Sequence, residues 1–214
     1  MKTDVVKIQE VVTEILRRKG IRVIDDLTVP VGVSNRHVHL SEEDLEKCFG
    51  QGYVLTPIKE LSQPGQFACM ETVNVCGPKG SIDKVRILGP VRKRSQVELF
   101  AADNFKLGTK APLRLSGDLD GAAPVTIVGP VGSAYLPEAA IVAKRHVHML
   151  PEDAQRYGVV DGQEVSIQTL GERGATLGNV IVRVTEQSRL DCHIDTEEAN
   201  AVGLKNGDRA RLVK

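Results

Sequence analysis

Near the start of the chain, apolar residues recur at helical spacing. Four of them lie three or four positions apart: Val5, Ile8, Val12 and Ile15. This period is typical of an amphipathic helix. The basic run 17–19 followed by Gly20 is a helix C-terminal signal. We therefore predict an amphipathic helix within residues 1–20, which either packs on the protein's own core or binds a partner as a short address segment.

Farther along, the pattern changes to the alternation that is typical of strands. Short apolar runs lie at 73–76, 85–88, 125–128, 141–147, 164–168, 179–184 and 209–213. Turn pairs such as Gly129-Pro130 and Asn206-Gly207 separate these runs. Many short strands with regular turn signals favour barrels or sandwiches over a parallel α/β sheet.

Two internal repeats refine this prediction. "VGVSNRHVHLSEEDLEKCFGQGY" and "AIVAKRHVHMLPEDAQRYGVV" share the order strand, RHVH tetrapeptide and helix start, while "GVVDGQEVSIQ" resembles "GLKNGDRARLV". We therefore predict a mainly β fold in which two similar β-barrel domains, at 30–125 and 126–214, carry short helices. Each domain contributes one RHVH strand.

Charge and composition exclude several function classes. Lys plus Arg and Asp plus Glu both number 28, and only 3% of residues are aromatic, so nucleic acid is not an expected partner. The chain has no apolar run of about 18 residues, which excludes a membrane span, and its start does not resemble a secretory signal. Its four cysteines form no CxxC pair, so we expect reduced thiols and a cytoplasmic location.

Four of the five histidines lie in the two RHVH words, as the pairs His37/His39 and His146/His148. In a strand, side chains i and i+2 point to the same face, so each pair can converge on one point. Imidazole is the commonest transition-metal ligand at neutral pH. One such pair is usually a set of hydrogen-bonded surface or core histidines, but two in matched repeats indicate a metal site.

The fifth histidine, His193, lies on the polar face of a predicted strand, while Cys192 points the other way as a small buried residue. Five imidazoles exceed the needs of one catalytic zinc with an open position, so they favour two metals with a carboxylate, for which Glu98 is the best candidate. Beside such a metal pair, a guanidinium of the basic run at 92–94 suits a phosphate clamp. Taken alone, each of these residues is as readily a solvated strand or turn residue.

Six stretches, taken in order, resemble the PduL-type phosphotransacylases, also called phosphate propanoyltransferases. They are "PVGVSNRHVHLSEEDL", "LTPIKELSQPGQFA", "GPKGSIDKVRILGPVRKRSQVE", "DNFKLGTKAPLRLSGDL", "IVAKRHVHMLPEDA" and "HIDTEEANA". They cover nearly all of the chain from Pro30 to about Ala201. One departure is Phe100, where the resemblance implies a small hydroxyl residue.

The resemblance implies two β-barrel domains around a dinuclear zinc site that transfers a short-chain acyl group between coenzyme A and phosphate. The implied zinc ligands are His37, His39, Glu98, His146, His148 and His193. The phosphate-orienting residue falls on Arg92. Contacts to coenzyme A fall on Ser34, Lys59, Arg86, Leu88, His193 and Asn200.

The resemblance also bears on partners and location. Members of this family that work in propanediol degradation inside bacterial microcompartments carry an N-terminal encapsulation peptide, and free cytoplasmic members lack one. Residues 1–20 are therefore either such a peptide, contacting the shell or other lumen enzymes, or a helix of the core. We also expect a homo-oligomer.

Two other functions fit the same residues. One is a zinc-dependent hydrolase of a thioester or related acyl substrate, in which water replaces phosphate as the nucleophile. The other is a structural-zinc scaffold with an interaction helix, although structural zinc sites are usually rich in cysteine.

Overall fold

A computed structural model describes residues 28–214 together with 11–12, 15–16 and 18–20. Most of the predicted amphipathic helix lies outside the described residues, so it stays a prediction. No helix among the described residues is both long and apolar enough to cross a membrane.

The fold is dominated by strands, as the alternating pattern predicts. The strands are β1 (Thr28–Ser34), β2 (His37–His39), β3 (Pro57–Glu60), β4 (Phe67–Cys76), β5 (Ser81–Gly89), β6 (Gln96–Leu99), β7 (Leu113–Arg114), β8 (Ala123–Val128), β9 (Ser133–Ala143), β10 (His146–Met149), β11 (Glu164–Gln168), β12 (Thr176–Val184), β13 (Asp191–Asp195) and β14 (Arg209–Val213). Short helices follow some of them: α1 (Glu42–Phe49), α2 (Asp103–Leu107), α3 (Pro151–Tyr157) and α4 (Thr196–Val202). Both RHVH words lead into a helix, because Ser41 caps α1 and Pro151 opens α3.

The strands close into two six-stranded barrels. In the first barrel the ring runs β4-β5-β2-β6-β9-β8 and closes because β8 pairs with both β9 and β4; β3 and β7 extend it at β4 and β9. In the second barrel the ring is β1-β13-β10-β12-β11-β14. This arrangement confirms the predicted mainly β fold with two barrels.

The barrels exchange one strand each. β1 precedes the first barrel in sequence but pairs with β13 and β14 of the second. β9 takes the equivalent place in the first barrel, where it pairs in parallel with β6 and antiparallel with β8. The chain therefore passes between barrels at 35–36 and again at 144–145.

Strand pairing consequently groups the residues differently from the predicted ranges 30–125 and 126–214. The first barrel is built from strands between 37 and 143, and the second from 28–34 and 146–213. The boundary predicted at 125/126 falls inside β8, and the strand predicted at 141–147 divides into β9 and β10. The crossover falls at Lys144 and Arg145, between two stretches of buried residues. Two charged residues within a strand-like run do not by themselves reveal a passage between barrels.

The barrel interiors are filled by side chains, and this filling sets the direction of the histidines. Val38 and Val147, each between two histidines, are fully buried in the cores of the first and second barrels. Because neighbouring side chains on a strand point to opposite faces, the flanking histidines point out of the barrels.

Candidate metal centre

The first ligand group lies on two neighbouring strands of the first barrel. β2 and β6 run antiparallel with His37 opposite Glu98. His37 Nε2 and Glu98 Oε2 are 3.4 Å apart. With His39, these buried side chains place one ligand atom each within 4.8 Å of one another.

The second barrel repeats this arrangement with the same register. β10 and β13 run antiparallel with His146 opposite His193, and Nε2 of His146 lies 3.1 Å from Nε2 of His148. These three imidazoles form the second group, again with ligand atoms within 4.8 Å. Glu98 and His193 thus occupy equivalent positions, each opposite the first histidine of its RHVH word.

Backbone carbonyls orient the rings. Nδ1 of His37 lies 2.8 Å from the Asn35 carbonyl, and Nδ1 of His146 lies 2.8 Å from the Lys144 carbonyl. Nδ1 of His39 lies 3.2 Å from the Leu88 carbonyl. A neutral imidazole that donates from Nδ1 leaves its Nε2 lone pair free for a metal. These orientations, and the nitrogen-rich donor sets, fit zinc or a similar divalent ion.

Glu98 is held as a carboxylate. Burial alone would raise its pKa, but the charge and hydrogen bond of His37 lower the pKa of Glu98 well below its usual range. The same pairing outweighs burial at His37 and raises its pKa. The amide of Gln96 donates a hydrogen bond of 2.7 Å to Glu98 Oε1, the oxygen other than the one beside His37, and so restrains the carboxylate.

Three other histidines are held neutral. Burial, and then the neighbouring His37, lowers the pKa of His39 to about 3. Burial and His193 lower the pKa of His146 to about 4, while burial with His146 lowers that of His148 to about 2. At neutral pH these three imidazoles have free lone pairs, which is the state that a metal binds.

Both groups line one cavity of about 550 Å³ between the barrels. The predicted residues that also line this cavity are Ser34, Lys59, Arg86, Leu88 and Arg92. Asn200 does not lie among the lining residues; it is exposed on α4, so the structure does not bring it to the site.

Arg183 and Ser116 are among the polar residues of the cavity that sequence reasoning missed. Arg183 lies opposite His148 on β12, and its Nη1 is 3.4 Å from the Ser116 carbonyl. Arg92 Nη1 lies 3.4 Å from the Ser116 hydroxyl. Arg183 did leave a signal in the sequence, because it is the one charged residue in the run at 179–184. It alternates with the buried Val180 and Val182, so its side chain points to the opposite face of the strand. Ser116, in a loop, left none.

The arginines of the RHVH words form ion pairs. Arg36 Nε lies 2.6 Å from Asp103 Oδ2 on α2, and Arg145 Nε lies 2.5 Å from Glu198 Oε1 on α4. α2 and α4 follow the strands that carry Glu98 and His193. Each arginine therefore links the strand that carries its histidine pair to the helix that follows Glu98 or His193 in the chain. Phe100, the departure from the family pattern, packs under Arg36, with the guanidinium carbon 4.2 Å from the ring centroid.

A serine and a histidine of the cavity wall also meet a buried acid, Asp191. Ser62 Oγ lies 3.2 Å from His193 Nε2, and Asp191 Oδ2 lies 3.0 Å from the same nitrogen. A nucleophilic triad needs the hydroxyl and the acid on opposite ring nitrogens. This geometry therefore does not relay a proton from Ser62 to Asp191.

Comparison with known proteins identifies the family. Residues 30–205 match the sequence profile described as phosphate propanoyltransferase. The chain belongs to the phosphate propanoyltransferase family. It is an acyltransferase.

Relatives are similar over nearly their whole length. A phosphate propanoyltransferase of Rhodobacter capsulatus is 53% identical over 190 residues, covering 89% of this chain and 88% of the relative. That of Thermotoga maritima is also 53% identical, over 86% of this chain and 88% of its own. That of Priestia megaterium is 51% identical over 96% and 94% of the two chains.

Proposed function

We propose that this phosphate propanoyltransferase family member transfers a short-chain acyl group between coenzyme A and inorganic phosphate at a dinuclear zinc centre. The observation that carries the proposal is the pair of register-matched ligand groups that face one cavity beside Arg92 and Arg183. Two metal positions and two guanidinium groups suit a reaction between an anionic nucleophile and a thioester.

The six ligands divide equally between the two ions. His37, His39 and Glu98 would hold one, and the imidazoles of His146, His148 and His193 the other. Bound zinc supplies Lewis acidity for a carbonyl oxygen and a soft partner for sulfur. Gln96 keeps the Glu98 carboxylate in place, and the carbonyls behind His37 and His146 keep Nε2 turned to the cavity.

Arg92 and Arg183 would bind phosphate. Both line the cavity and reach opposite sides of Ser116, one its hydroxyl and the other its carbonyl. A guanidinium binds phosphate oxygens in a bidentate way. Holding phosphate in line with the acyl carbon lowers the entropic cost of attack. Direct attack by phosphate is favoured, since Ser62, His193 and Asp191 do not form a nucleophilic triad.

Coenzyme A would bind along the wall formed by Ser34, Lys59, Arg86 and Leu88. Lys59 supplies a cation for a phosphate of the cofactor and Leu88 an apolar contact. Arg86 donates hydrogen bonds to the carbonyls of Cys69 and Met70, which hold its guanidinium at the cavity edge.

We further propose a homo-oligomer that works in the cytoplasm, either free or within a microcompartment. Residues 1–20 would decide between these locations. Deleting them and following solubility, oligomer size and activity tests their role. A truncated protein that unfolds indicates a core helix, whereas an active one that no longer enters a microcompartment indicates an encapsulation peptide.

The central experiment combines metal analysis with an acyl phosphate assay over a series of acyl-CoA chain lengths. We expect two zinc ions per chain and acyl phosphate formation that depends on inorganic phosphate. Release of coenzyme A without a requirement for phosphate would contradict the proposal and favour the hydrolase.

A further inference from the structure

β3 lies outside the closed ring of the first barrel and forms a hairpin with β4, which is a strand of that ring. β3 pairs with β4, and all four of its residues are exposed. The connecting turn at 61–66 is closed by the hydrogen bond from Leu61 N to the Gln66 carbonyl at 2.9 Å. At the tip of this hairpin, however, Gln63 is only 6% exposed. A buried amide on an exposed hairpin requires polar partners.

Those partners belong to the second barrel. Gln63 Nε2 donates a hydrogen bond of 2.9 Å to the Arg189 carbonyl, and Arg189 N donates one of 3.1 Å to Gln63 Oε1. The side chain thus satisfies both backbone groups of one residue, as a neighbouring strand would. Arg189 lies in the connection before β13, four residues ahead of His193.

This contact fixes one wall of the cavity. Ser62, next to Gln63, reaches His193 across the two barrels at 3.2 Å. Lys59, on β3 of the same hairpin, lines the cavity. Arg92 and Arg183, by contrast, are carried by other elements. Anchoring of the hairpin therefore governs the place of Lys59 without governing the two arginines.

We propose that Gln63 is a positioning residue that anchors the β3–β4 hairpin to the second barrel and so holds the coenzyme A wall of the cavity in place. This inference rests on the proposed function, because it assigns the hairpin to the acyl-CoA side of the site. Its consequence is selective: acyl-CoA binding depends on the anchor, and phosphate binding does not.

The test compares Gln63→Ala and Gln63→Glu in the full-length, zinc-loaded protein. Alanine removes both hydrogen bonds, while glutamate loses the donor and sets a carboxylate against the Arg189 carbonyl. We expect both variants to raise KM for acyl-CoA about tenfold, which corresponds to the loss of one good polar contact, with KM for phosphate within twofold of the original. Gln187→Ala is the matched control, since Gln187 lies in the same connection between β12 and β13 as Arg189 but is exposed.

Amide hydrogen exchange supplies a readout that does not require activity. We expect Gln63→Ala to speed exchange in 57–66 and to leave the rest of the first barrel unchanged. If acyl phosphate formation is absent in the parent protein but this local effect is seen, the proposed function fails and the anchor stands. Unchanged exchange in 57–66, an equal rise of both KM values, or a lowered melting temperature with both KM values unchanged would each overturn the proposal.

Discussion

At the scale of single residues, Glu98 gives the two ligand groups different charges. The first group contains two imidazoles and a carboxylate, and the second contains three imidazoles. His193 takes the position in the second group that Glu98 takes in the first. A buried carboxylate that faces imidazoles and accepts a hydrogen bond from Gln96 is suited to act as an anionic metal ligand. The charge on this residue should therefore control metal binding in the first barrel.

We predict that Glu98→Gln lowers the zinc content from two ions towards one per chain. Loss of the anionic ligand and its electrostatic contribution should reduce acyl transfer by roughly 10²–10³-fold. Zinc analysis of the purified variant, together with the acyl phosphate assay, measures both effects. Glu138→Gln is the control, because Glu138 is a half-exposed surface residue paired with Arg94. Full zinc content with full activity in Glu98→Gln would remove Glu98 from the ligand set.

Gly32 leaves room for the second group. It lies beside His193 on the neighbouring parallel strand. A Cβ atom at this position would come within 2.8 Å of both Asp191 Oδ2 and His193 Cδ2. Because real side chains do not tolerate such distances, the imidazole would have to move.

We predict that Gly32→Ala weakens the zinc affinity of the second group by about 10–100-fold while the protein stays folded. Zinc titration calorimetry and circular dichroism check these two parts. Gly178→Ala serves as the control, since its added Cβ would meet nothing closer than Ser166 Oγ at 3.8 Å. An unchanged second zinc affinity in Gly32→Ala would contradict the steric argument.

At the scale of elements, α1 anchors the loop that carries Arg92. Ser95 Oγ donates a hydrogen bond of 2.6 Å to Asp44 Oδ2, and Ser41 donates one of 2.9 Å to the same oxygen. Arg92 N also donates to the Leu40 carbonyl at 2.8 Å. Leu40, just ahead of the helix, therefore holds one end of 92–95, and Ser41 and Asp44 at the start of the helix hold the other.

The protonation state of Asp44 links this anchor to pH. Burial opposes its charge, but the hydrogen bonds from Ser95, Ser41 and Lys47 hold the pKa of Asp44 below its ordinary value of 3.8. A carboxyl group whose pKa is lower in the folded state stabilises that state above its unfolded pKa, and the contribution is lost as pH falls through the folded pKa.

We predict that Asp44→Asn lowers the free energy of unfolding by about 1–2 kcal/mol at pH 7. The difference from the parent protein should stay constant down to about pH 5 and narrow below pH 3.8. Urea denaturation at several pH values measures it, with the exposed Asp120→Asn as the control. If the difference in free energy of unfolding between the variant and the parent grew as the pH fell, the prediction would be wrong.

Sequence periodicity predicted most of the strands, and the family resemblance supplied the expected contacts to coenzyme A. The two HxH pairs and His193 could be selected because alternation fixes which face of a strand each side chain occupies. Glu98 could be selected because it follows a basic run in a strand-like stretch. Arg183 and Gln63 were missed because their roles depend on residues of the other barrel, and no local pattern reports that contact. The exchange of β1 and β9 was missed for the same reason.

At the scale of the whole molecule, the exchange makes the site a shared product of both barrels. β1 brings Gly32 against His193 in the second barrel and then leads directly into His37 of the first. β9 leads in the same way into His146 of the second barrel. Neither ligand group can therefore be displaced far without pulling on the strand that connects it to the other.

Because the barrels exchange β1 and β9, neither barrel is formed by a single continuous segment that ends at a native terminus. A circular permutation can change this. Thr28 lies opposite Arg211 on antiparallel strands, so a linker of about three residues from Lys214 to Thr28 would form a hairpin. With new termini between Lys144 and Arg145, each barrel would be encoded by one continuous half of a circular permutant.

We predict that this permutant, which lacks residues 1–27, folds and binds two zinc ions, because every strand pair is kept and only the connectivity changes. Circular dichroism and zinc analysis would check this, with a chain that starts at Arg36 and so lacks β1 as the comparison. A permutant that fails to fold, when the unpermuted chain 28–214 does fold, would show that the covalent crossing at 144–145 is itself required. If it folds, the two halves could be produced as separate chains and mixed, and activity would report their reassembly.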